Sequence, residues 1–137
     1  MIPLIRDIWG SFRALPVWVR VWVFLWLVPV NMASLLFLAQ PGGLWVAFLA
    51  NIAMLGNLPV LIMDRGFSKR MALPHLLPWA LLAGLLLLAR PEAAGVYGGY
   101  LWLLLGTNIV SLAFDVTDAL KWWTGARGVA GRPSDPA

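Results

Sequence analysis

The chain has 137 residues, 61% of them hydrophobic and 12% charged, with a formal net charge of +4 and no cysteine. Soluble domains are usually about 45–50% apolar and about 25% charged, so a water-soluble globule of this composition would expose large, aggregation-prone apolar patches. The lack of thiols excludes disulfides, zinc–thiolate sites, iron–sulfur clusters and cysteine nucleophiles, and a crossing that needs about 20 apolar residues limits a membrane protein of this length to four or five spans.

Residues 1–16 predict an interfacial amphipathic helix. Ile5, Ile8, Trp9, Phe12 and Leu15 recur at helical spacing, while Arg6, Asp7 and Arg13 fall elsewhere on the wheel, a pattern suited to the headgroup region. The first span is read over residues 17–39. Arg20 lies one turn from its start, where a long stem can carry the charge out to the lipid phosphates. Pro29 is expected to kink this helix, because it removes one backbone hydrogen bond. The apolar run far exceeds a signal-peptide core of about 7–15 residues, so the span is read as retained. Trp18, Trp22 and Trp26 follow one face at i, i+4 spacing. Helix packing or lipid contact is the plainer use of that stripe; stacking on an apolar ligand or partner helix is the other.

Gln40-Pro41-Gly42-Gly43 marks a tight turn, after which the second span covers 44–63 and contains Asn51, Asn57 and Pro59. Asp64 to Arg70 reads as a polar loop. The third span, 74–89, is short and opens on Pro74, His75 and Pro78. The fourth covers 96–114, and its helix continues to about residue 123, where Trp122 and Trp123 suit an interfacial anchor. Residues 124–137 have no apolar period, so a disordered cytoplasmic tail is expected there.

Of the ten Lys and Arg residues, only Arg90 lies in a turn between spans one and two or spans three and four. The others fall in the N-terminal segment, the middle loop and the C-terminal segment. The positive-inside rule then places both termini in the cytoplasm, and the net charge needs no nucleic-acid partner. The expected fold class is all-α integral membrane, with an interfacial helix followed by a domain of four transmembrane helices over 17–123, in the bacterial cell inner membrane.

Chemistry is sparse. On the fourth helix, at about 100° per residue, Asn108, Ser111, Asp115 and Asp118 share one face. Gly95, Gly99, Gly106 and Ala113 share the opposite one, a candidate helix-packing face with small residues that admit a close neighbour. Asn57, Asp64 and Arg20 lie toward the same membrane side as the polar stripe, so all seven polar residues form a candidate cluster. Its plainer reading is structural glue, at about 0.6 kcal/mol per hydrogen bond in a bilayer; the sharper one is a cytoplasm-facing cavity for a substrate or ion. Against coupled transport, no span carries Asp or Glu at mid-depth. Asp115 and Asp118, at i and i+3, can share a magnesium ion as in lipid-modifying enzymes, but such pairs are common and their more ordinary role is a solvated helix end. His75, the only histidine, lacks the second histidine of a bis-histidine haem and reads as an interfacial hydrogen-bonder. No catalytic residue, cofactor or metal is expected. The functional expectation is an accessory, assembly or immunity-type subunit, with an oligomeric transporter or channel and a magnesium-dependent lipid-modifying enzyme as alternatives. Its expected partners are the lipid bilayer and another membrane protein or a second copy of this chain.

Overall fold

Five helical elements follow one another in the computed structural model, which describes residues 1–132. They are α1 (Ile2–Ala14), α2 (Val17–Phe37), α3 (Gly43–Asp64), α4 (Lys69–Leu88) and α5 (Gly95–Trp123). The last four are each long and apolar enough to cross a membrane.

Local chemistry sets most boundaries. Pro3 falls in the first turn of α1, where its missing N–H costs nothing. Leu15 adopts extended backbone before Pro16, as a residue preceding proline prefers, and the chain turns into α2. The expected kink at Pro29 takes a different form. Residues Val21–Leu27 are wound as a π-helix, and the Val28 N–H reaches back to the Val23 carbonyl. Pro29 offers no N–H to the Leu25 carbonyl and crowds it; the wider turn just before it accommodates that misfit. A tighter 3-10 stretch, Ala33–Phe37, ends α2. In the turn that follows, Gly42 has φ +68°, and a Cβ on Gly43 would lie 2.0 Å from the Phe37 carbonyl oxygen. Only glycine fits there.

The core forms where α3 presents a small face to a large one. Ala47, Ala50 and Ala53 are buried against α4, whose Trp79, Leu82 and Leu86 are buried in turn. The Trp79 indole N–H donates to the Ala50 carbonyl at 3.1 Å. Leu101 and Leu104 of α5 and Leu27 and Val30 of α2 complete the cluster. α4 begins earlier than the span read from residue 74, because Lys69–Ala72 already form a 3-10 turn and Pro74 sits harmlessly in the first α-turn.

At one end, three basic segments meet. Arg65 pairs with Asp7 of α1 at 2.8 Å, and the Phe67 N–H donates to Ser11 Oγ at 2.8 Å. The segment after α5 departs from the expected structureless tail as far as it is described. The Ala130 N–H donates to the Phe67 carbonyl, and the Arg132 guanidinium donates to the Asp64 and Arg65 carbonyls. Backbone pairing to the loop supplies order that apolar periodicity could not signal; the rest of the tail expectation, residues 133–137, lies outside the described residues. At the opposite end the two short turns meet. The Tyr97 hydroxyl donates to the Pro41 carbonyl at 2.8 Å, and Phe37 stacks on Tyr97 and Tyr100.

Candidate functional site

The polar side chains inside the bundle form two layers. The middle layer centres on Asn31 of α2 and Asn108 of α5, which exchange reciprocal amide hydrogen bonds of 2.9 Å each. They are 0% and 1% exposed. Asn31 Nδ2 also donates to the Leu27 carbonyl at 3.0 Å. Ser34 donates to the Asn31 carbonyl, and Asn51 of α3 donates to Ser34 Oγ at 3.0 Å. The Trp26 indole donates to Thr107 Oγ1 at 3.1 Å, and the Tyr100 hydroxyl to the Val30 carbonyl at 2.7 Å. Sequence periodicity found Asn108 but not its partner. Asn31 and Asn51 were visible as polar breaks in apolar runs, yet nothing in a linear pattern says which of them face each other.

The second layer lies nearer the basic end and joins three helices. His75 of α4 sits between Asn57 of α3 and Asp115 of α5. Asn57 Nδ2 lies 2.8 Å from His75 Nε2, and His75 Nδ1 lies 3.4 Å from Asp115 Oδ2. With Asn57 donating, Nε2 is the acceptor and the ring proton belongs on Nδ1; Nδ1 and Asp115 Oδ2 are both buried, close to each other but without a hydrogen bond. The imidazole stacks on Trp79 with centroids 4.2 Å apart and planes 4° from parallel. His75 and Asp115 are each only 9% exposed, so the histidine read as interfacial is almost wholly inside.

The candidate cluster read from the sequence therefore divides. Asn57 and Asp115 meet through His75, whereas Asn108 belongs to the middle layer and Ser111 is buried at 3% on the same face of α5. Asp64 accepts from Ser68 Oγ at 2.5 Å and from Arg70 at 3.2 Å. Asp118 pairs with Lys69 at 3.4 Å. Asp115 and Asp118, about 60° apart around the helix, have different partners: Asp115 is buried toward His75 and Asp118 pairs with Lys69. Arg20 stands apart from the cluster, with its guanidinium 5.8 Å from the Phe12 ring centroid.

The outer face of α5 is bare. A Cβ added to Gly95, Gly99 or Gly106 would meet nothing within 4 Å, and Ala113 is exposed. These residues face away from the other helices of the protomer. The tryptophan stripe does the reverse: Trp26 bonds to Thr107, and Trp18 packs 5.8 Å from Phe114, so both meet α5. Trp22, between them, is half-buried.

The His75–Asp115 layer gives a direct expectation. Asp115→Asn keeps a polar group facing the imidazole at equal volume and should leave stability nearly unchanged. Asp115→Leu replaces the one polar group facing the buried His75 Nδ1, 3.4 Å away, with hydrocarbon and should cost roughly 1–2 kcal/mol. Denaturant unfolding in detergent measures both; an asparagine variant as damaged as the leucine variant would show that the charge, not the polar contact, holds the layer. Comparison with protein-family models, curated proteins and solved structures found no match to this chain.

Proposed function

We propose that the chain is a multi-pass protein of the bacterial cell inner membrane, with both termini in the cytoplasm, that acts through helix–helix contacts as an accessory, assembly or immunity-type subunit. One observation carries this reading. Inside the bundle, Asn31, Asn108, Ser34, Asn51, Trp26 and Thr107 are matched to one another, while the glycine face of α5 is left open on the outside. Lipid gains nothing from glycine, whereas a neighbouring helix gains close backbone approach. The orientation rests on the basic residues gathered at the end shared by α1, the α3–α4 loop and the C-terminal segment.

A second reading, an oligomeric transporter or channel, is favoured by the Asn57–His75–Asp115 line, because ionisable groups at membrane depth commonly mark ion or proton paths. Purification from native membranes in mild detergent, with mass spectrometry of what stays attached, separates the two. The expected result is a distinct membrane protein in fixed ratio, lost from Gly99→Leu and Gly106→Leu variants that still fold. A homo-oligomer without other protein would favour the transporter. Unchanged attachment in both leucine variants would remove the glycine face from the account.

A further inference from the structure

We propose that the groove between α1 and the start of α2 is a binding site for one anionic phospholipid, whose phosphate pairs with Arg20 and whose acyl chain lies along α2. The groove is lined by Phe12, Val17, Arg20, Val21, Phe24 and Leu25 and is an open surface depression of about 310 Å³. That is near the lower end of the range of about 300–1,000 Å³ for small-molecule sites, which suits a single chain rather than a bulky ligand. It rests on membrane embedding alone and is independent of what meets the glycine face of α5.

Three features of the groove point to this occupant. The first is charge. Arg20 Nε is buried and has no hydrogen-bond partner, and Arg20 forms no ion pair among the described residues. Three cations near this end do have carboxylate partners: Arg65 with Asp7, Lys69 with Asp118, and Arg70 with Asp64. A guanidinium buried at Nε, with the Phe12 ring 5.8 Å away and no carboxylate beside it, favours an anion, and its planar fork matches phosphate oxygens. The second is placement. Arg20 lies one turn inside the N-terminus of α2, whose first free N–H groups and dipole favour negative charge at the same end; the Val19 and Arg20 N–H groups already bond to the Pro16 carbonyl. The third is the floor. Val21, Phe24 and Leu25 belong to the π-helical stretch Val21–Leu27, and such turns recur where a helix is shaped for a function. Their side chains are apolar and open outward, Leu25 at 71% exposed. Phe12 closes the groove from α1, with its ring packed edge-on to Phe24 at 5.0 Å.

The site reads charge at one end and an apolar chain along the rest. A zwitterionic lipid offers the same phosphate, but carries a cation beside it that must be accommodated next to Arg20. An anionic headgroup is therefore preferred.

The test uses the full chain in detergent, loaded with phosphatidylglycerol or phosphatidylcholine and examined by native mass spectrometry. Wild type should retain one phosphatidylglycerol and release phosphatidylcholine at lower activation energy. Arg20→Gln should weaken phosphatidylglycerol retention by about tenfold or more, the scale of losing one charge-assisted phosphate contact. Val21→Trp, at an outward-facing position that tolerates bulk, should fill the groove and lose the lipid with all charges intact. Equal retention of both lipids by wild type would overturn the proposal. So would retention unchanged in Val21→Trp, because the lipid would then be held by charge at the surface and not in the groove. Displacement of the lipid by millimolar inorganic phosphate would also overturn it, showing that the chain contributes nothing.

Discussion

Trp79→Ala is expected to be the most damaging single truncation in the bundle, lowering stability by about 3 kcal/mol, the lower end of the range for emptying a large aromatic site. Trp79 is 0% exposed and packs in the same cluster as Ala50 and Ala53 of α3, whose small side chains leave it room. The lower end applies under the proposed membrane embedding, in which hydrocarbon surrounds the bundle. The water-transfer part of the cost is then small, and what is lost is dispersion contact across an interface too tight to collapse. The variant also loses the indole donor on the Ala50 carbonyl and the plate beneath His75. Trp79→Phe separates these contributions, since a phenyl ring keeps most of the filling and the stack. It should cost about 1 kcal/mol, the scale of one hydrogen bond. Unfolding in mixed detergent micelles reads both variants. A Trp79→Ala protein within about 1 kcal/mol of wild type would mean that α3 and α4 are held together by something other than this packing.

That same interface shows how much of the molecule was legible in its sequence. Four apolar runs separated by turn residues signal four long helices, because backbone satisfaction in hydrocarbon leaves few other options. The inward turn of Asn108, Ser111 and Asp115 could also be read, since a polar stripe on an apolar helix seeks protein. What could not be read is pairing. Asn108 was grouped with Asn57 and Asp64, yet its partner is Asn31, 77 positions earlier. Helix rotation and axial offset decide that match, and periodicity encodes neither. His75 illustrates the same limit. Between two prolines at a helix start it resembled a surface residue, but α4 begins at Lys69 and draws His75 a full turn deeper, under Asn57 and beside Asp115. The glycine face of α5 was visible as a pattern, and the pattern alone did not reveal whether it would meet α2 or lie outside.

The Asn31–Asn108 pair leads to the second large effect. Asn108→Leu is expected to cost about 2–3 kcal/mol, although leucine suits a membrane helix better than asparagine by intrinsic preference. Each bilayer hydrogen bond contributes only about 0.6 kcal/mol on average and at most about 1.7, so two lost bonds alone explain about half of that figure. The remainder comes from Asn31. It is completely buried, and its side-chain oxygen, which now accepts from Asn108, would be left without a donor. Its Nδ2 keeps the Leu27 carbonyl, so the amide is held in place and cannot rotate outward to find relief. An orphaned buried acceptor costs about 1–3 kcal/mol. If that asymmetry is the source, removing the orphan should repair much of the damage. Asn31→Leu/Asn108→Leu is then expected to be more stable than Asn108→Leu alone, with a coupling of at least about 1 kcal/mol in the double-mutant cycle. Unfolding of the four proteins in the same detergent supplies the cycle. Additive losses in the double variant would contradict the reciprocal pair, because they would mean that each asparagine is stabilised by its own helix and not by the other.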